Sequence, residues 1–304
     1  RDDEEVMTKL DELADRYPEA LRHPVVPLRI GDREWQDEPV LMGTINLSRD
    51  STYRESIATG TRSAVRKARL AVAEGAALVD IGAESTTAKA SRVTGDEQLQ
   101  RLLPVIEQCV DEGIVISLET YDPAVAAVGL AAGATVLNLT GAADQESMFD
   151  LAAEFGATVI ICYVAGRTVR DITDVRLDRD PLPGLLAHFA ERVEVARAHG
   201  VERIVIDPGM GFYYGNLVDP ITRVRHQTEV ILNTFRLREL GLPICHALPH
   251  AFDLFEEHFR SAEGFFAVLA VLGGAQLLRT HEVPLARAVT GAMQRLDVSG
   301  GWDA

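Results

Sequence analysis

Cysteine, tryptophan and long apolar segments are scarce in this chain. Its 304 residues include only 3 cysteines and 2 tryptophans. Cys109, Cys162 and Cys245 lie far apart and form no CxxC pair, which argues against a disulfide framework and indicates buried thiols in a reducing compartment. No apolar run is long enough for a membrane helix, and the charged N-terminal segment does not resemble a signal peptide. We therefore expect a cytoplasmic protein without a membrane partner.

Basic residues are also few compared with acidic residues. Lys and Arg number 30 against 46 Asp and Glu, which gives a formal net charge of −16. Because nucleic-acid phosphates are bound by basic side chains, this balance argues against a nucleic-acid partner. An anionic substrate would need a locally positive site within an unfavourable overall field.

Several common catalytic motifs are missing as well. The chain contains no GxGxxG or Walker loop, no HExxH zinc motif and no GxSxG nucleophile motif. Its function must therefore be inferred from the residues that the predicted strands place together.

Short apolar runs alternate along the chain with amphipathic stretches, most of which end in Gly, a helix-stop signal. The eight runs are Val40–Asn46, Ala77–Ile81, Ile114–Glu119, Thr135–Leu139, Thr158–Cys162, Arg203–Asp207, Pro243–Ala247 and Gln276–Arg279. Continuous apolar strands separated by helices indicate a parallel sheet that is covered on its outer face. Eight such units predict an α/β fold of the (β/α)8 TIM-barrel type, with a doubly wound sheet as the weaker alternative.

The first part of the chain lies outside this repeat. Residues 1–38 are predicted to form an N-terminal extension, a charged helix followed by a short hairpin. The barrel is predicted to span residues 39–298, and residues 299–304 form a tail. We expect the hairpin to cover the bottom of the barrel, and the helix to pack on its flank or on another subunit.

Polar residues stand at the ends of the predicted strands, where barrels of this kind carry their chemistry. They are Asn46, Glu119, Asn138, Asp207, Arg279 and His281. Carboxylates and amides can pair with the N–H groups of a flat heterocycle. Arg279 and His281 alternate around Thr280, so they are expected to point the same way and to hold a phosphate or pyrophosphate. Asp207 has an alternative role, because a strand-end Asp can also cap the Pro-Gly turn that follows it.

Five segments appear in an order that is specific as a set: MGTINLSRDS, VDIGAEST, VLNLTG, VIDPGMGF and LLRTHEV. They resemble the motifs of dihydropteroate synthase, within the broader pterin-binding (β/α)8 group, and the resemblance covers roughly residues 39–298. Enzymes of that family join a pterin-methyl pyrophosphate to p-aminobenzoate and release pyrophosphate, with magnesium. The resemblance thus implies a transferase that uses a reduced pterin or folate as substrate, requires Mg²⁺ and forms a homodimer.

The resemblance also assigns residues to the pyrophosphate end of the site. Asn46 would bind the metal and the pyrophosphate, and with Arg279 and His281 it forms the predicted catalytic set. Thr86 would contact the pyrophosphate, and Asp50 in the first loop is a further predicted substrate-binding residue.

At the other end of the site, Asn138 and Asp207 would hold the edge of the pterin, with Phe212 near its ring. Glu119 and His250 complete the predicted substrate-binding set. Burial of Asp207 would then be explained by its pairing with the aminopyrimidine N–H groups.

The chain departs from the family at four places. Glu119 stands where the family has Asp, which moves the carboxylate by roughly 1.5 Å, one C–C bond. Leu248-Pro249-His250 replaces Ser-Arg-Lys, and Thr87-Ala88-Lys89 replaces Arg-Pro-Gly. The first loop lacks the glycines of the family. These changes predict a retained pterin site with an altered second-substrate pocket or altered chemistry.

Three functions remain open on this evidence. The first is transfer of a pterin-methyl group to an amine acceptor that need not be p-aminobenzoate. The second is one-carbon transfer from a reduced folate, which the missing lysine and Arg-Pro-Gly loop favour and the Arg–His pair disfavours. The third is a non-catalytic paralogue that binds a pterin or a partner protein.

Overall fold

The computed structural model describes residues 12–36, 38–48, 56–84, 93–141, 144–165, 178–212, 217 and 219–296. The predicted site residues Asp50 and Thr86 lie outside the described residues, as does the Thr87-Ala88-Lys89 segment. Among the helices of the described part, none combines the length and the apolar composition needed to cross a bilayer.

The elements alternate as the sequence predicts. The strands are β1 (Leu28–Ile30), β2 (Arg33–Trp35), β3 (Val40–Asn46), β4 (Leu78–Gly82), β5 (Ile116–Glu119), β6 (Val136–Leu139), β7 (Thr158–Cys162), β8 (Ile204–Asp207), β9 (Cys245–Ala247) and β10 (Leu277–Thr280). The α-helices are α1 (Pro18–Arg22), α2 (Thr61–Glu74), α3 (Gly95–Asp111), α4 (Pro123–Ala131), α5 (Gln145–Phe155), α6 (Leu182–Ala198), α7 (Pro220–Leu232), α8 (Phe252–Phe255), α9 (Arg260–Leu272) and α10 (Val283–Arg295). Short 3-10 helices cover Thr234–Leu240 and Glu256–His258.

Local sequence explains several of the helix boundaries. Asp122 caps α4, because its carboxylate accepts the Ala124 N–H at 2.8 Å and Pro123 occupies the first turn. Gly75 ends α2 with a left-handed φ of 118°, which few other residues adopt. These signals place the helices between the strands and set the lengths of the connecting loops.

Eight parallel strands form the centre of the fold in the order β8-β7-β6-β5-β4-β3-β10-β9. The two ends of this sheet meet, since Ile206 and Ile244 form a parallel bridge and the Ile206 N–H donates to the Pro243 carbonyl at 3.1 Å. The strands therefore close into a (β/α)8 barrel surrounded by helices. This confirms the predicted fold class and excludes the doubly wound alternative.

The hairpin of β1 and β2 closes one end of the barrel. Leu28 and Ile30 are buried in a cluster with residues near the starts of the barrel strands. Those residues are Val40, Met42, Leu78, Val136, Ile160, Val205, Cys245 and Leu277. Thr158 also donates to the Arg29 carbonyl at 2.6 Å, and Arg203 donates to the Gly31 carbonyl at 3.0 Å. The N-terminal end of the barrel thus has an apolar floor, at the position predicted for the hairpin.

The segment before the hairpin lies on the flank of the barrel. The Tyr17 ring meets Phe235 edge-on with centroids 6.3 Å apart, and the Arg236 guanidinium lies 4.1 Å from the Tyr17 ring centroid. Arg238 donates to the His23 carbonyl at 3.2 Å. The extension is therefore fixed against the 3-10 helix that precedes β9.

Candidate active site

The upper part of the barrel interior is polar. Side chains alternate along a strand, so a residue two positions after an inward apolar residue also points inward. Leu78 and Val205 belong to the apolar cluster at the floor. By this rule Asp80 and Asp207, each two positions later, also point into the barrel. The polar layer above the apolar floor consists of Asp80, Ser117, Glu119, Asn138, Cys162, Asp207 and Arg279. A ligand that enters from the carboxyl ends of the strands would meet this layer.

Arg279 lies at the centre of the polar layer. Its Nε donates to Asp80 Oδ2 at 2.7 Å, and one terminal nitrogen donates to Glu119 Oε2 at 3.2 Å. The side chains of Asp80 and Glu119 are only 0% and 6% exposed. Although burial opposes the charged form, these two carboxylates raise the pKa of Arg279. Arg279 is therefore a permanent cation that links β10 to β4 and β5.

Asp80 accepts hydrogen bonds from several side chains of this polar layer. It accepts the Ser117 hydroxyl at 2.6 Å and the Asn138 amide N–H at 3.2 Å, in addition to Arg279. Because the amide nitrogen of Asn138 is directed at Asp80, the orientation of its amide oxygen is determined as well. Asp80 thus sets the position of two groups that were predicted to contact a ligand.

Glu119 is buried beside Arg279, and its pKa is higher than that of an exposed glutamate. Burial raises the pKa of Glu119 and Asp80 raises it further, while Arg279 and the hydroxyl of Thr140 lower it. A Cβ at Gly82 would lie 3.4 Å from both Glu119 Cβ and Oε2, so the glycine leaves room for this side chain. Glu119, which stands where the family has Asp, thus contacts the guanidinium of Arg279.

Asp207 ends β8 with a buried carboxylate that is 4% exposed. Its two oxygens accept the Gly209 N–H at 2.7 Å and the Ala247 N–H at 3.3 Å. Burial raises the pKa of Asp207 to about 6, and the two backbone donors limit the rise. Asp207 therefore does cap the turn that follows β8. The two backbone hydrogen bonds also hold its carboxylate in place inside the barrel.

His281 and His250 contact a fourth buried carboxylate, which lies outside this layer. Glu263, on α9, accepts the His281 Nδ1 at 2.9 Å, and His250 Nδ1 lies 3.3 Å from the same oxygen. Burial raises the pKa of Glu263, but the two histidines outweigh this effect and hold the pKa well below its usual range. Burial lowers the pKa of His281 to about 4, so this imidazole is neutral at pH 7. Arg279 and His281 thus contact different carboxylates, although the alternation around Thr280 predicts a shared direction.

Asn46 and Phe212 lie at the rim. Asn46 is the last residue of β3 and is partly exposed, and its amide N–H donates to Ser56 Oγ at 2.5 Å. Phe212 is partly buried and packs with Tyr163 against Leu217. Both residues are close to the strand ends, where the sequence predicts them.

A family model described as pterin binding enzyme matches residues 42–281. The chain belongs to the pterin-binding enzyme family. The matched residues extend from Met42 in β3 to His281, directly after β10, and they contain the whole polar layer. The prediction of a divergent member of this family is confirmed.

Individual members of the pterin-binding family are similar over most of the chain. It is 33% identical over 261 residues to a probable bifunctional folylpolyglutamate synthase/dihydropteroate synthase of Haloferax volcanii, covering 83% of this chain but only 30% of that protein. It is 30% identical over 292 residues to the dihydropteroate synthase of Synechocystis sp., covering 91% of this chain and 95% of the relative. A structure of Xanthomonas albilineans dihydropteroate synthase with 4-aminobenzoic acid is 28% identical, with a TM-score of 0.75 and coverage of 90% and 98%. At the level of the family, these relatives confirm the predicted class, a pterin-binding transferase.

Two carboxylates of this family member were not among the predicted site residues. Asp80 stands within the VDIGAEST motif, and a carboxylate inside an apolar strand was a signal that could have identified it. Glu263 had no such signal, because acidic residues are common on helices that face solvent. Its burial, at 1% exposure, follows only from the packing of α9 on β10.

Proposed function

We propose that this chain is a transferase that joins a pterin-methyl pyrophosphate to an amine and releases pyrophosphate. The observation that carries the proposal is the buried carboxylate of Asp207, held in a polar layer above a sealed apolar floor. A buried carboxylate in this position is favourable when a ligand supplies N–H donors. The Synechocystis relative is a dihydropteroate synthase, which supports the same reaction for this chain.

The pterin end of the reaction follows from the polar layer. Asp207 would accept N–H groups from the aminopyrimidine edge of the pterin. Asn138, oriented by Asp80, would offer its amide oxygen to a neighbouring donor. The apolar floor formed with the hairpin would stop the ring from entering deeper and would exclude water beneath it.

The pyrophosphate end involves Arg279, His281 and Asn46. A good leaving group and a neutral aromatic amine require little acid–base catalysis, so charge stabilisation is the main task. Arg279 supplies a permanent positive charge, which it would share with its two carboxylate partners.

Magnesium is proposed here as a further component of the site. Asn46 offers an amide oxygen, a hard ligand, and Mg²⁺ in such sites is commonly held by one or two protein groups together with substrate phosphates. The ion would neutralise charge that develops on the leaving pyrophosphate.

Turnover tests this proposal directly. Pyrophosphate release from a pterin-methyl pyrophosphate should require an arylamine such as p-aminobenzoate, and it should depend on added Mg²⁺. We expect Asn138→Ala to raise KM at least tenfold, because one oriented ligand contact is lost, whereas the exposed His258→Gln should leave the kinetics unchanged. Pterin binding without pyrophosphate release for every arylamine tested would refute the transferase reaction.

A second function is supported by the two ion pairs of Arg279. Arg279 is already paired with Asp80 and Glu119, and the lysine of the family is replaced by His250, so the charge available for a pyrophosphate is reduced. A one-carbon transferase that binds a reduced folate would not need that charge. Calorimetry distinguishes the two, since this alternative predicts tighter binding of reduced folate than of the pterin pyrophosphate.

Assembly and location remain predictions from the family. We infer a homodimer in the cytoplasm, with an acceptor pocket that differs from that of other members because of the loop after β4. Light scattering of the purified chain tests the dimer, and kinetics with a series of amines tests the acceptor.

A further inference from the structure

Two histidines and a glutamate converge beside the carboxyl end of β10. His250 follows β9, Glu263 lies on α9 and His281 follows β10, so three separate elements contribute one side chain each. One potential ligand atom from each residue lies within 4.8 Å of the others. Within the described part of the chain, no other such group of three His, Cys, Asp or Glu residues is found.

The distances within this group suit a metal ion. Glu263 Oε1 is 2.9 Å from His281 Nδ1 and 3.3 Å from His250 Nδ1, and the two imidazole rings are tilted with centroids 4.6 Å apart. Bonds of about 2.0–2.2 Å to a tetrahedral ion separate neighbouring ligand atoms by roughly 3.4 Å. Movements of a few tenths of an ångström for the measured pairs would therefore accommodate an ion.

The second oxygen of Glu263 is held by other donors. Glu263 Oε2 accepts the Thr280 hydroxyl, the His281 backbone N–H at 2.9 Å and the Glu282 backbone N–H at 3.2 Å. These contacts leave Oε1 directed at the two imidazoles. Partners of this kind orient the ligands of metal sites and increase their affinity.

We propose that His250, Glu263 and His281 bind a divalent transition-metal ion, with Zn²⁺ as the best match. Two imidazoles and one carboxylate are a ligand set that leaves a position for water or an anionic oxygen. The side chains of His250 and His281 are 11% and 9% exposed, so each imidazole keeps a small solvent-exposed area. This site is distinct from the proposed Mg²⁺ ligand Asn46, and it does not depend on the proposed reaction.

The metal would also change what His281 presents to a ligand. When Nδ1 of the neutral ring donates to Glu263, Nε2 can only accept a hydrogen bond. When Nδ1 binds a metal, the ring proton moves to Nε2, which can then donate. An occupied site would thus make His281 a donor to an anionic ligand, in a site that lacks the lysine of the family.

Calorimetric titration of Zn²⁺ into the chelator-treated 304-residue chain tests this proposal without any measurement of turnover. We expect one ion per chain, a rise of several degrees in melting temperature, and the visible absorption of tetrahedral Co²⁺ when Co²⁺ is used. His250→Gln and Glu263→Gln should each weaken Zn²⁺ binding at least 100-fold. His258→Gln, which changes an exposed histidine outside the group, should not.

Two results would overturn the proposal. One is the absence of a stoichiometric Zn²⁺ site in the wild-type protein, which would mean that the group is held only by hydrogen bonds. The other is unchanged Zn²⁺ affinity in a folded His250→Gln variant. Because His250 lies at the rim and makes fewer contacts with Glu263 than His281 does, this variant is informative even if Glu263→Gln does not fold.

Discussion

An Asp207→Asn variant is expected to lose about 100-fold in pterin affinity while becoming more stable above about pH 6. The affinity falls because two charge-assisted hydrogen bonds to the ligand's N–H groups are replaced by, at most, one neutral bond. Calorimetry with a pterin at pH 7.5 measures this effect. Unchanged affinity in this variant would remove the basis for the proposed function.

The substitution raises stability although it lowers affinity, because the folded chain favours the neutral form of Asp207. Its pKa is raised from 3.8 to about 6, so the carboxyl group imposes no penalty below pH 4, where the folded and unfolded chains are both protonated. Between pH 3.8 and about 6 the unfolded chain ionises while the folded chain keeps the proton, so stability falls as pH rises, and the full cost of about 3 kcal/mol is reached above pH 6. The asparagine avoids this cost but loses about 1 kcal/mol of hydrogen bonding to the backbone.

Urea unfolding at two pH values measures the net stability change of Asp207→Asn. At pH 8 we expect a gain of about 2 kcal/mol in the free energy of unfolding, and at pH 4.5 no gain or a small loss. Asp219→Asn is a suitable control, because Asp219 caps α7 on the surface and the Thr222 N–H and hydroxyl lower its pKa. That variant should lose stability at pH 8 and leave pterin affinity unchanged. A stability change in Asp207→Asn that is equal at both pH values would contradict the raised pKa.

Replacement of Arg279 by methionine is expected to destabilise the chain by about 3–5 kcal/mol at pH 8, because it leaves Asp80 and Glu119 buried without their cation. Loss of the positive charge raises the pKa of Glu119 further, so this carboxyl group takes up a proton more readily. The deficit should therefore shrink as the pH falls toward 5. Denaturant unfolding across this pH range is the measurement.

A second substitution separates charge from packing in this experiment. Glu119→Gln removes one of the two unpaired carboxylates, so the double variant Arg279→Met/Glu119→Gln should recover part of the lost stability. Arg69→Met serves as a surface control, since the pair of Arg69 with Glu112 is largely exposed and should contribute little. If the double variant were less stable than Arg279→Met at pH 8, the buried charges would not be the cause.

Much of the fold could be predicted because its signals are local and repeated. Each apolar run is followed by an amphipathic stretch with its own stop signal, and eight such units close into a barrel. The direction of Asn138 and Asp207 was predictable too, since each lies two positions after an apolar residue that faces the floor. The family resemblance then supplied a reason for these polar residues to be buried.

The sequence alone therefore determined the barrel, the family and the end of the barrel at which polar side chains gather, because strand period and motif order are properties of neighbouring residues. Only the tertiary structure decided which charges meet. Arg279 finds Asp80 across 199 positions of the chain and Glu119 across 160, and Glu263 reaches His281 from a separate helix. Partner choice and the pKa values that follow from it depend on distance and burial in three dimensions, and neither quantity is a property of any segment by itself.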